Sequence, residues 1–146
     1  MFGPPGRLYV YFSYGVHWCA NVVVGPEGRG SAVLLRAGEV VEGEELARSR
    51  RAAARVARDL ARGPARLTQA LAIGPDDKGA DLLDPDSSVR LHRGPAPAAV
   101  AAGPRVGISL ATDLPWRFWD PAAPSVSVFR PGGKRPRKVA GQDGLP

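Results

Sequence analysis

Sulfur is scarce in this chain. Its 146 residues include one cysteine, Cys19, and one methionine, Met1. A lone cysteine excludes an intramolecular disulfide and a zinc site built on cysteine pairs. Cys19 lies within an apolar stretch and reads as a small buried hydrophobe. Histidine is almost as rare, with His17 and His92 only. No supporting cluster surrounds either, so no metal is expected. Long hydrophobic runs are missing, and every apolar stretch is far too short to span a membrane. The opening MFGPPG is not a charged segment followed by an apolar run, so no signal peptide is expected, and a cytoplasmic, soluble protein is. Lysine is scarce as well, with three against seventeen arginines, in a chain of net charge +6 and pI about 10.2. That balance favours an acidic partner, usually nucleic acid. A GC-rich coding sequence would produce the same arginine, alanine, glycine and proline bias, so basicity alone selects no partner.

The length and the 44% hydrophobic content fit one domain with a real core. Only ten residues are aromatic, and all three tyrosines fall in the stretch LYVYFSYGVHWCAN at residues 8–21. β-branched and aromatic density predicts strands at 8–14 and 18–24 with Gly15 at the turn between them. From composition such a hairpin reads first as ordinary core packing, with a surface that stacks on bases and reads their edges as the alternative. A third strand is expected at 31–36, buried on both faces because Ala-Val-Leu-Leu is continuously apolar. Leu46, Ala53, Val56 and Leu60 recur at helical spacing and predict one long helix over 44–62, with Glu44 and Glu45 near its start. Its arginines (Arg48, Arg50, Arg51, Arg55, Arg58 and Arg62) read as a solvated face, with a DNA contact as the alternative. A second helix is expected over 65–72, with Pro64 in its first turn. An acidic loop at 74–87, short strands at 89–92, 105–110 and 125–130, and a basic disordered tail at 131–146 complete the expectation. The fold class expected is α+β, a curved antiparallel sheet with helices packed around it, occupying residues 1–130.

Five segments together resemble one family. LYVYFSYG (8–15) followed by Asn21, VLLRA (33–37), GPARLTQALAI (63–73), RGP (93–95) and RVG (105–107) are similar, in order and spacing, to the alkyladenine (3-methyladenine) DNA glycosylases. Each segment is weak alone; the set is specific, and it covers roughly residues 1–130. The resemblance implies a base-flipping enzyme that rotates an alkylated or deaminated purine out of duplex DNA and hydrolyses its N-glycosidic bond. It implies that Tyr14 is the wedge filling the vacated gap and that Tyr11 stacks on the flipped base, its π-face suited to a cationic alkylpurine. It also implies that Asn21 forms a pocket floor that clashes with the exocyclic amine of guanine. The resemblance further implies that Val16 and His17 line the DNA surface, and that Arg36 and the main-chain carbonyl of Val106 hold the attacking water. No lysine is placed as a Schiff-base nucleophile, so a monofunctional enzyme is expected. Its partner would be double-stranded DNA with a damaged purine, without metal, organic cofactor or membrane, and it would act as a nucleoid-associated monomer.

The chain departs from the family pattern in one respect. The family's general base is the glutamate of a Glu-x-Glu-Ala-Tyr motif N-terminal to the matched region, and that motif is not among these residues. Glu39 and Glu42 follow Arg36, but nothing in the sequence aims them at a pocket. An N-terminally truncated glycosylase is expected, with a catalytically inactive damaged-DNA-binding fragment as the alternative reading and a non-functional fragment as a third.

Overall fold

The computed structural model describes residues 1–130, so the expected tail at 131–146 lies outside the described residues. The fold is α+β. A three-stranded antiparallel meander of β1 (Leu8–Ser13), β2 (His17–Val23) and β3 (Ala32–Leu34) carries two helices, α1 (Glu44–Arg50) and α2 (Pro64–Leu71). A separate two-stranded sheet pairs β4 (Ala101–Gly103) with β5 (Arg117–Trp119).

The β1–β2 register sets Leu8 opposite Val22, Val10 opposite Ala20 and Tyr11 opposite Cys19. Strand alternation then sorts the hairpin into two faces. One face buries Leu8, Val10 and Ala20 in a cluster with Ile73 and Leu82. The other carries Tyr9, Tyr11, Cys19 and Asn21. Helix α2 lies against β2, and the Thr68 hydroxyl donates to the Trp18 carbonyl at 3.0 Å. Pro64 is at its first turn, as its fixed φ favours.

The expected helix over 44–62 is not continuous. It stops at Arg50, and Arg51 leaves helical geometry at φ −126° and ψ 49°. The reason is packing. Ala47 and Leu60 both bury in one cluster with Ala61, Leu67 and Ala70. On a straight helix they would stand about 20 Å apart, so the chain must fold back for both to reach it. Leu46, Ala53 and Val56, expected inside, are exposed.

Other boundaries shift as well. The third strand shortens to three residues at the sheet edge, and Val33 is exposed rather than buried between two layers. No strand forms at 89–92, where one bond joins Leu91 N–H to the Leu82 carbonyl at 2.8 Å. The 105–110 strand is replaced by β4 just upstream, and Arg105 folds back on the carbonyls of Leu110 and Ala111. Residues 125–130 pair with no strand either. Arginine side chains occupy their carbonyls instead, Arg62 at Val126 and Arg117 at Ser127. Among the described residues no helix is long and apolar enough to cross a membrane.

This packing separates two leucines that helical periodicity treats alike. Leu60→Ala should lower the unfolding free energy by about 3 kcal/mol, as a fully buried leucine does. Leu46→Ala should change it by less than about 0.5 kcal/mol. Urea denaturation of the two variants checks this, and equal losses would restore the straight helix.

Candidate functional site

The hairpin turn is the most strained point of the described backbone that bears a large side chain. Tyr14 sits at φ 52° and Gly15 at φ 67°. The Val16 N–H closes the turn by donating to the Ser13 carbonyl at 3.1 Å. Positive φ at both central positions is what a tight hairpin turn demands. Glycine meets that demand freely, whereas a tyrosine there is an outlier costing on the order of 1 kcal/mol or more. The turn holds Tyr14 at the tip with 77% of its surface exposed, and Val16 beside it at 72%.

Behind the tip, the face opposite the core collects aromatic and polar groups. Tyr11 is half-buried and stacks on Tyr9, with ring centroids 5.7 Å apart and planes inclined by 27°. Cys19, directly across from Tyr11, is buried and is a free thiol, as expected from sequence. Burial first, and Cys19 second, raise the Tyr11 phenol above its ordinary value, so it stays neutral at physiological pH. Asn21 is 7% exposed and its amide nitrogen donates to the Tyr9 carbonyl at 3.1 Å. Among the described residues nothing donates to its Oδ1.

Arg36 follows the end of β3 and is half-buried. Burial, and then the charge of Arg117, push its guanidinium down from its usual range, while nearby Cys19 and Tyr11 act in the opposite direction. It remains a cation, as arginine does in proteins. Among the described residues no carboxylate pairs with it. Glu39 and Glu42 are exposed. Arg117, the neighbouring charge, is 8% exposed, donates to the Ser127 carbonyl at 2.7 Å and lies over the Trp119 ring at 4.6 Å.

Tyr11, Asn21 and Arg36 therefore share one side of the sheet. His17 belongs to the same face by strand parity, but Val16 and His17 also line a hollow of about 580 Å³ that opens on the other side, against α2. Val106 is half-buried in the loop after β4, and among the described residues no hydrogen bond joins it to Arg36. Sequence reasoning passed over two contributors. Tyr9 was visible in the period-two alternation with Tyr11. Arg117 was hidden in the Trp-Arg-Phe-Trp run at 116–119, whose local pattern favours no element. Among the described residues no group of three or more histidine, cysteine, aspartate or glutamate side chains is arranged to hold a metal ion.

Comparison with known proteins gives this arrangement a family. A protein of Nocardia farcinica provisionally named a 3-methyladenine DNA glycosylase is 54% identical over 138 residues, covering 93% of this chain and 65% of its own length. A Mycobacterium tuberculosis protein with the same provisional name is 51% identical over 140 residues, covering 96% of this chain and 68% of its own. A third so named, from Mycolicibacterium paratuberculosis, is 51% identical over 138 residues. This chain thus spans about two-thirds of the length of the relatives it matches. The family model for methylpurine-DNA glycosylases matches residues 1–124, and the chain belongs to that family.

Proposed function

We propose that the chain works in a DNA repair glycosylase that flips an alkylated or deaminated purine out of the duplex and hydrolyses its N-glycosidic bond, without a lyase step. The observation that carries this reading is the tip of the hairpin. There a large aromatic is held at positive φ with 77% of its surface exposed. Strain of this kind is kept where function needs it. Flipping a nucleotide leaves a gap in the base stack, and an aromatic or apolar wedge offsets the few kcal/mol of lost stacking.

The roles follow from chemistry at each position. Tyr14 fills the gap, with Val16 against the duplex. The half-buried Tyr11 ring, backed by Tyr9, offers its π-face to the flipped base, and a cationic alkylpurine gains most from the ring quadrupole. Asn21 forms the floor of the pocket. Its Nδ2 is committed to the Tyr9 carbonyl, which fixes the plane of the amide and leaves Oδ1 to face the base. Arg36, a cation with no carboxylate partner among the described residues, orients the attacking water together with the Val106 carbonyl. His17 flanks the DNA surface. Hydrolysis also requires a carboxylate to activate that water or to stabilise an oxocarbenium-like state. The family pattern assigns it to the Glu-x-Glu-Ala-Tyr segment. The protein acts as a monomer on double-stranded DNA in the cytoplasm, at the nucleoid. The binding-only reading draws no support from relatives that carry an enzyme's name.

In a protein that includes the glutamate segment, Arg36→Ala should abolish base release from a duplex containing hypoxanthine or an alkylated adenine, measured in single-turnover excision. Unchanged release would sink the water-holding role. Tyr14→Ala should weaken binding to damaged duplex by about tenfold, the loss of roughly 1.4 kcal/mol of gap filling. Tyr14→Gly should weaken binding as much yet leave the unfolding free energy within about 1 kcal/mol, since glycine relieves the left-handed backbone. Fluorescence anisotropy and thermal unfolding read both effects.

A further inference from the structure

The arginines of residues 48–62 are a motif that the base pocket leaves unused, and the structure divides them. Arg48 pairs with Glu44 at 2.6 Å, and Arg62 with Asp59 at 3.4 Å. Arg51 is held by the Leu60 carbonyl at 3.2 Å and by Gln69 Oε1 at 2.9 Å. Arg50, like Arg51, has no carboxylate partner among the described residues, but of these four it is the one that lines the hollow beside the hairpin. Its Nη1 donates to the Ala70 carbonyl at 3.0 Å. The remaining N–H groups of the guanidinium are left for a ligand. That single bond fixes the side chain at the C-terminal end of α2, where it lines the hollow of about 580 Å³ with Val16, His17 and Trp18 of the hairpin and Gln69 of the helix.

Three properties of this hollow act together. It is bordered by a fixed positive charge, and no carboxylate lines it. It begins at Val16, two residues beyond the wedge. It lies on the side of the hairpin away from Tyr11, because Trp18 and Ile73 in its lining pack with the Leu8, Val10 and Ala20 face. On the glycosylase reading, a duplex opened by Tyr14 would have its two strands on the two sides of the hairpin, the strand carrying the flipped base towards Tyr11 and the other towards the hollow. We propose that the hollow seats the phosphate backbone of the strand opposite the flipped nucleotide, with Arg50 supplying the fixed charge and Gln69 and His17 further donors. The position of the duplex in this assignment rests on the glycosylase reading above.

The test is the salt dependence of duplex binding. Arg50→Gln should lower affinity about fivefold to tenfold near 50 mM salt and reduce the slope of log K against log salt by about 0.9, the signature of one lost phosphate contact. Because Arg50 also caps α2, Gln69→Glu serves as a second variant. It keeps an acceptor for Arg51, sets a negative charge in the hollow, and should weaken binding at least as much with unchanged thermal unfolding. Arg48→Gln, with the same change in net charge but a side chain bound to Glu44, should leave the slope unaltered. Neutral methylphosphonates opposite the lesion should erase the difference between wild type and Arg50→Gln. An unaltered slope in folded Arg50→Gln and Gln69→Glu, or an equal loss in Arg48→Gln, would overturn the proposal. Erasure only by methylphosphonates on the lesion strand would overturn the choice of strand. Failure of the wild-type protein to bind any duplex would sink the glycosylase reading along with it.

Discussion

The antiparallel pairing of β1 with β2 is the constraint on which the rest depends. Their register, with Val10 against Ala20 and Tyr11 against Cys19, assigns each side chain of the hairpin to one face. A slip of one residue would exchange the two faces completely. The apolar face anchors the register, because Leu8, Val10 and Ala20 are almost fully buried with Ile73 and Leu82. The cost of exposing that cluster holds Tyr9, Tyr11 and Asn21 on the other side. The same pairing delivers Tyr14 to the tip and requires left-handed geometry there. The buried face, the aromatic face and the exposed tyrosine tip are consequences of a single alignment.

Charge is distributed by the same frame. An arginine-rich chain must either solvate its guanidinium groups or give them acceptors. Here many are given backbone carbonyls. Arg62 and Arg117 hold the 125–130 segment through Val126 and Ser127, and Arg50 and Arg51 tie α1 to α2. These bonds substitute for strand ladders and for the second half of the expected helix. Arg36 and Arg117 stand close enough for each to feel the other's charge, and among the described residues no carboxylate neutralises either. An uncompensated positive region beside Tyr11 suits a site that receives a polyanion.

Much of the hairpin that carries the candidate site was legible in the residues. The tyrosine cluster, Gly15 at a turn, Pro64 at a helix start and the five family segments all lie in local sequence, and the first three strands and α2 fall within a residue or two of where they were expected. Failure was confined to places where a distant partner decides. Leu46, Ala53 and Val56 have flawless helical spacing, yet Leu60 and Ala47 compete for one cluster and break the helix. Residues 105–110 alternate like a strand, but the edge available to pair with β5 is Ala101–Gly103.

The sequence by itself determined the elements whose cause is local. Alternation makes the hairpin two-faced, a glycine permits its turn, and the order of short motifs assigns the family. It also determined that no disulfide can brace the chain, since Cys19 has no second cysteine to meet. Tertiary structure alone decided which residues come near one another across the fold: Arg36 near Tyr11 and Arg117, and Arg50 at the hollow behind the hairpin tip. Those meetings depend on how closely packed side chains from segments far apart in the chain divide the available space. No periodicity within one segment encodes that division.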